Sequence, residues 1–263
     1  MKKYWFIIKM QIMSNLQYIF NIVFGFIGYF IMLFILFNLW QYLYSDPSEL
    51  INGYSMHQMT WYVVITEILW LTLGGSKFCK KICNDVKSGN ITYNINKPYS
   101  YIGYSLSTHL GDISVRLLIY TVLGMFTGLL FLGSFPTLSL ASVLIVVLTS
   151  ILALVIQTLF MIAIGLLSFF IEDANPFYWV YSKVILVLGT IFPIEYFPGI
   201  LQTILRFSPV YVVSYGPAKL FVDFSWSTAF SIILAQIIYI ILAYLLCFAI
   251  YKKGVKRINV NGG

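Results

Sequence analysis

The 263-residue chain has little charge: only 10% of its residues are Asp, Glu, Lys or Arg, whereas a soluble domain carries about 25%. It has two histidines, nine acidic residues and three cysteines, two of which form a lone C-x-x-x-C, Cys79 and Cys83. A structural zinc site usually needs four ligands, so we expect reduced thiols, with no metal site and no disulfide framework. The low charge excludes an ordinary soluble enzyme, and 18% aromatic residues exclude a disordered chain.

The chain is rich instead in apolar residues, at 60% hydrophobic and a mean hydropathy of +0.89. A membrane helix needs about 20 mostly apolar residues, so this length holds six spans and no large soluble domain. The sequence therefore predicts an all-α, polytopic membrane protein of one domain, residues 1–263, with six transmembrane helices. We expect them at about 19–42, 59–73, 112–132, 138–171, 178–192 and 227–251.

Three further segments complete the predicted domain. Residues 1–17 are half apolar and predict a helix lying in the membrane interface, or else an N-terminal extension of the first span. Residues 76–111 form the longest polar connection and hold five lysines. Residues 193–223 hold four prolines, which lack the N–H that a continuous helix needs, and predict a broken, re-entrant segment before the last helix.

The distribution of basic residues predicts the orientation. Residues 1–17, residues 76–111 and the C-terminal tail hold three, five and four basic residues, whereas the predicted outer connections hold only Arg206 and Lys219. Because cytoplasmic loops collect Lys and Arg, we expect both termini in the cytoplasm of a cell-membrane protein. No recognition motif accompanies these basic residues, so no nucleic-acid partner is expected.

Three local motifs resemble a known family. Residues 87–98 are similar to a cytoplasmic "sG-x-I…L-x-x-P" stretch, although Asn94-Ile-Asn-Lys97 replaces the usual Leu- and Arg-containing run. Residues 192–201, FPIEYFPGIL, resemble an outer "FP-hydrophobic-E-x-[FY]-P-x-x-L" segment, and residues 208–221 resemble the stretch that follows it. In this order and among six spans, they make the chain similar to the membrane subunit of an ABC-2-type ATP-binding-cassette exporter.

The resemblance implies a permease subunit that exports an amphipathic or apolar substrate, such as a drug, lipid or peptide. Its implied partners are cytoplasmic ABC ATPase subunits, a second permease of the same or a different chain, and membrane lipids. The sequence has no G-x-x-x-x-G-K-[ST] loop, so ATP and Mg²⁺ belong to the ATPase, and no catalytic residue or cofactor is expected here. An integral-membrane enzyme acting on lipid and an ion-coupled secondary transporter stay open as alternatives.

The lysine-rich connection carries the expected ATPase-contact residues: Lys77, Lys80, Lys81, Lys87, Gly89, Tyr93 and Pro98. Its aromatic residues favour a protein contact over anionic lipid or a role in topology alone. Gly89 and Pro98 are expected to set the backbone path between short helices. Asp112 and Arg116, spaced i, i+4 at the predicted start of the third span, predict a stiff joint or an exposed pair worth less than about 1 kcal/mol.

Two acids are candidates for the transport pathway. Glu67 lies inside the short second span, where a charge costs at least about 2.5–3.5 kcal/mol, so it should face protein or water. It is either a pore-lining or gating acid, or a packed and hydrogen-bonded one. Glu195 stands between Pro193 and Pro198, which predicts an outer gate or a re-entrant structural cap. The two histidines are expected on opposite sides of the membrane.

Overall fold

The computed structural model of the protein describes residues 2–44, 46, 49–95 and 97–261, and these residues are almost entirely helical. They form eleven α-helices: α1 Lys2–Leu16, α2 Ile19–Leu43, α3 Met56–Thr72, α4 Lys77–Lys87, α5 Ile91–Ile95, α6 Tyr101–Leu132, α7 Leu140–Leu166, α8 Asn175–Ile185, α9 Gly199–Arg206, α10 Gly216–Val222 and α11 Trp226–Asn261. Two π-helical segments join them, Leu186–Ile191 and Tyr211–Tyr215, together with 3₁₀ turns at Leu167–Phe169 and Ile194–Tyr196.

Four helices of the described chain are long and apolar enough to cross a membrane. They are Ile19–Leu43, Tyr101–Leu132, Leu140–Phe169 and Trp226–Arg257. The predicted second span corresponds to α3, which has only 17 residues, and the predicted fifth span corresponds to α8 followed by a π-helical segment. The all-helical class is therefore confirmed, the four apolar helices are consistent with a membrane protein, and the count of six spans stays a prediction.

Helix α3 lies at the centre of the bundle. Every residue from Met59 to Leu69 is buried, and the helix packs against α2, α6, α10 and both π-helical segments. It begins at Met56, earlier than predicted, because Ser55 and Gln58 form a capping box. The Gln58 N–H donates to Ser55 Oγ at 3.2 Å, and the Ser55 N–H donates to Gln58 Oε1 at 3.1 Å. Residues 59–69 of the predicted second span are therefore enclosed by the other elements of the bundle.

Helix α6 begins at Tyr101 and not at Asp112, so the predicted start of the third helix is wrong and the last part of residues 76–111 is helical. Ser100 caps the helix by accepting the Gly103 N–H. The polar first turns of α6 are covered by α1, whose Tyr4 lies against Gly103 and whose Ile8 lies against Gly111. Hydropathy does not predict the early start of α6, because contact with α1, and not a local apolar run, stabilises these turns.

The segment of residues 193–223 is broken but more helical than predicted. Pro198 is the N-cap residue of α9, and Pro217 stands in the first turn of α10, where a missing N–H costs no hydrogen bond. Helix α11 also differs from its prediction, because it continues past residue 251 to Asn261. Gly254 in this extension lies directly against the Phe169 ring, so contact with the 167–169 turn supports the added turns.

Candidate functional site

Helix α4 presents lysines on one face and packs with the other. Its buried residues are Cys79, Ile82, Cys83 and Val86, and Ile82 lies against Gly165 of α7. The predicted contact lysines Lys77, Lys80, Lys81 and Lys87 are all exposed. Residues three and four apart share a helix face, so this spacing keeps Lys77, Lys80 and Lys81 together. The apolar contact with α7 fixes the helix and directs a cationic face outward.

The buried thiols of α4 form a pair. The proximity of the two thiols lowers the pKa of Cys83 and, together with burial, raises the pKa of Cys79. Cys79, Cys83 and Cys247 are free and buried. Within the described chain, no group of three His, Cys, Asp or Glu side chains could hold a metal ion.

The turn after α4 contains the other predicted contact residues. Gly89 has a φ of +74°, a conformation that side chains disfavour, although a Cβ there would meet nothing within 4 Å. Tyr93 on α5 is 73% exposed. The Pro98 carbonyl accepts a hydrogen bond from the Lys3 ammonium, and the Ser100 N–H donates to the Tyr4 hydroxyl at 3.2 Å. Residues 98–100 are thereby attached to α1.

Side-chain contacts connect α4 to α6 and to the turn before α8, and connect α6 to α11. The Tyr101 hydroxyl of α6 donates to Asp85 at 3.0 Å, and the Tyr101 ring stacks on Tyr251 of α11 at 5.9 Å. Lys87 reaches Asp173 at 3.8 Å. The backbone N–H and side chain of Asn175 and the charge of Lys87 lower the pKa of the Asp173 carboxyl. A displacement of α4 would therefore change its contacts with α6 and with the turn before α8, and through Tyr101 it would affect the contact of α6 with α11.

Asp112 and Arg116 form the predicted ion pair, at 3.1 Å, but within α6 and not at its start. Their side chains are 23% and 21% exposed, so the pair is partly buried. The Arg116 guanidinium lies so close to Gly74, where φ is +69°, that a Cβ would collide with it. The pair therefore connects α6 to the turn that ends α3.

Glu67 lies within the buried face of α3. It is 2% exposed, and its Oε1 has no hydrogen-bond partner. Its neighbour Thr66 donates to the Thr190 carbonyl at 2.8 Å, and Tyr62 donates to the Gly189 carbonyl at 2.6 Å. The π-helical segment of residues 186–191 is thus hydrogen-bonded to α3 through the carbonyls of Gly189 and Thr190, whereas Glu67 takes no part.

Glu195 accepts two tyrosine hydroxyls in a group that we call the tyrosine cluster, comprising Tyr44, Tyr54, Glu195, Tyr196 and Tyr215. Tyr54 donates to Glu195 Oε2 at 3.0 Å, and Tyr215 donates to Oε1 at 2.5 Å. Tyr44 donates to the Tyr54 carbonyl at 2.8 Å and lies 3.0 Å from the Tyr196 hydroxyl. Burial, and then the nearby Tyr215 and Glu195, raise the pKa of Tyr54.

Pro193 and Pro198 bracket the 3₁₀ turn that positions Glu195. No hydrogen bond among the described residues connects Glu67 to the tyrosine cluster, so the two candidate pathway acids belong to separate environments. Sequence reasoning did not single out the four tyrosines, although each stands in or beside a polar or proline-rich connection. The histidines are also apart: His57 contacts Ser134 at 3.0 Å, and His109 contacts Thr158 at 3.0 Å.

A comparison with known families identifies the chain's relatives. The family described as ABC-2 family transporter protein matches residues 27–262. The chain belongs to this ABC-2 transporter family. The match includes the lysine face of α4, both pathway acids and the tyrosine cluster, whereas α1 precedes it. Members of the ABC-2 family are membrane transport components and not catalysts. No curated protein matches the chain.

Proposed function

We propose that the chain is the membrane-spanning permease subunit of an ABC exporter, carrying an amphipathic or apolar drug, lipid or peptide out of the cell. ATP, with Mg²⁺, is hydrolysed by partner ATPase subunits, and a second permease of the same or a different chain completes the pathway. Membership of the ABC-2 family is the observation that carries this proposal. In the proposed topology, residues 1–263 form one domain with six spans and both termini in the cytoplasm.

The short length of α3 is compatible with this topology. Helix α3 has 17 residues, which at about 1.5 Å per residue extend over about 25 Å of a hydrocarbon core of about 30 Å. Protein surrounds α3, so its ends need not reach both membrane surfaces. Helix α1 lies in the cytoplasmic interface, and the tyrosine cluster lies on the outer side.

The lysine face of α4 is the proposed ATPase contact. Exposed cations at an interface rim affect association rate and salt sensitivity, whereas aromatic anchors such as exposed Tyr93 contribute affinity. ATPase closure would push α4, and the Tyr101–Asp85 hydrogen bond would pass this displacement to α6. The contact between Arg116 and Gly74 would then carry it to α3, which bears Glu67.

The outer end would respond through α3. Gln58 donates to the Val222 carbonyl at 3.3 Å, and Tyr62 donates to Gly189, so α3 is hydrogen-bonded to elements on both sides of the tyrosine cluster. Glu195, held between Pro193 and Pro198, would serve as an outer gate that opens when these contacts rearrange. Glu67 would line or gate the pathway nearer the membrane centre.

Affinity purification of the full chain from membranes tests the proposal. We expect a protein with a G-x-x-x-x-G-K-[ST] loop to co-purify, and the complex to hydrolyse ATP in proteoliposomes. The double variant Lys80→Glu/Lys81→Glu should release that ATPase at moderate salt. The matched variant Lys252→Glu/Lys253→Glu, on the exposed surface of α11, should retain it. Transport driven by an ion gradient without ATP would instead identify a secondary transporter.

A further inference from the structure

A lateral cleft opens between α6 and α7. Its volume is about 700 Å³, and Ile65, Ile68 and Leu69 of α3 line its inner wall. The turn between α6 and α7 closes one end with Phe135 and Pro136. This volume is within the usual range of roughly 300–1,000 Å³ for small-molecule sites. The cleft is therefore large enough to hold a ligand.

The lining indicates the chemistry of that ligand. Of the lining residues, only Thr121 and Ser150 carry a polar side chain, and none is charged. An ionic or strongly polar group would lose its hydration there without gaining partners. Leu118 and Val122 line the same cleft, and they are 70% and 68% exposed, so its mouth faces the surroundings of the bundle. Both flanking helices are candidate membrane spans, which places hydrocarbon at this mouth.

The dimensions favour one hydrocarbon chain over a helix. The lining residues run from Leu117 to Met125 on α6 and from Val143 to Ile151 on α7, or about 12 Å of each helix at 1.5 Å per residue. One leaflet's hydrocarbon is about 15 Å deep, half of the bilayer core. A membrane helix needs about 20 residues, or about 30 Å, so the 12 Å of lining would hold less than half of its length.

We propose that this cleft binds an acyl chain of a membrane phospholipid, which enters sideways from one leaflet and lies against α3. The inference rests on the apolar cleft and on membrane embedding, and it does not depend on ATP-driven transport. Because α3 carries Glu67 and forms the inner wall, the bound chain contacts the same helix that bears this candidate pathway acid.

Photo-crosslinking locates the acyl chain directly. The full-length protein is reconstituted in phosphatidylcholine vesicles containing a phosphatidylcholine with a diazirine in one acyl chain, irradiated, digested and mapped by mass spectrometry. We expect adducts on the α3 residues Ile65, Ile68 and Leu69, although each is at most 5% exposed. Ile156 of α7, which is equally buried but does not line the cleft, should stay unlabelled.

A blocked cleft provides the control. Ser150→Phe fills the space, so labelling of α3 should fall by at least about fivefold, since a packed site excludes added atoms. Ser231→Phe, on the exposed face of α11, should leave labelling unchanged. Thr121→Leu is the milder variant, with a smaller decrease, if Ser150→Phe misfolds. Labelling of α3 no stronger than that of Ile156, or a disulfide between two copies of a Ser150→Cys variant, would overturn the proposal.

Discussion

Glu195 and Glu67 are both acids in apolar surroundings, yet the structure gives them opposite environments. Both carboxylate oxygens of Glu195 accept tyrosine hydroxyls, one from Tyr54 and one from Tyr215. Glu67 is buried on α3, and its Oε1 accepts no hydrogen bond. The region around Glu195 is thus a completed polar network, whereas the region around Glu67 leaves a polar atom unpaired.

This difference separates stability from function. A buried polar group without a partner costs about 1–3 kcal/mol, so Glu67 lowers the stability of this folded conformation. A partly buried carboxylate that is hydrogen-bonded on both oxygens can stabilise its surroundings, and Glu195 joins residues from three connections. Substitutions at Glu195 should therefore act mainly on the fold, and substitutions at Glu67 mainly on the proposed transport cycle.

The largest effect on stability is expected for Glu195→Ala. The variant leaves the hydroxyls of Tyr54 and Tyr215 without their acceptor, and each such loss costs about 1–3 kcal/mol. We expect the free energy of unfolding to fall by about 2–4 kcal/mol, measured by reversible denaturation in mixed micelles. Glu195→Gln keeps one oxygen acceptor and should lose about half as much.

The exposed acid Glu172 supplies the control for this prediction. Glu172→Ala should leave the free energy of unfolding unchanged, because surface substitutions usually shift stability by less than about 0.5 kcal/mol. Equal stabilities of the Glu195→Ala and Glu172→Ala variants would show that the tyrosine cluster contributes nothing to the fold, and the comparison with Glu67 would lose its meaning.

An intermediate effect is expected for the pair of Asp112 and Arg116, whose side chains are 23% and 21% exposed. A double-mutant cycle with Asp112→Asn and Arg116→Met should give a coupling of about 0.5–1 kcal/mol, near the upper limit for partly solvated pairs. The same cycle on the more exposed pair of Lys87 and Asp173 should give no measurable coupling. A coupling for Asp112 and Arg116 as large as the Glu195 effect would show that the degree of burial does not determine how much these polar groups contribute to stability.

The sequence predicts those parts of the fold that depend on unbroken apolar runs. Helix α2 begins at Ile19 as predicted, because the apolar run that forms this span starts there. The first turns of α6 and the last turns of α11 were not predicted, because both are polar and depend on contacts with other elements. Tyr4 and Ile8 cover the former, and Phe169 covers part of the latter.

The candidate sites were predictable to a similar extent. Two flanking prolines indicated Glu195, and its position in an apolar run indicated the burial of Glu67. The partners of Glu195 could not be predicted, because only the fold brings together the members of the tyrosine cluster: Tyr44, Tyr54, Glu195, Tyr196 and Tyr215. The unpaired oxygen of Glu67 depends in the same way on how five neighbouring elements pack around α3.

The smallest effect on stability, with the largest contrast in function, is expected at Glu67. Glu67→Gln and Glu67→Leu break no hydrogen bond to Oε1, and leucine also removes an unpaired polar group at similar volume. The free energy of unfolding should stay within about 0.5 kcal/mol for Gln and rise by up to about 1 kcal/mol for Leu. If Glu67 lines or gates the pathway, substrate transport in proteoliposomes should fall severalfold in both variants.

Thr72→Val gives the matched control, since it replaces a buried polar residue of α3 whose hydroxyl bonds only to the Ile68 carbonyl of the same helix. It should preserve transport. Normal transport in both Glu67 variants would reduce this acid to a packing residue. A loss of stability as large as for Glu195→Ala would mean that Glu67 does have a partner in the assembled protein. That partner would have to come from outside the described residues, because none of them hydrogen-bonds to Oε1 of Glu67.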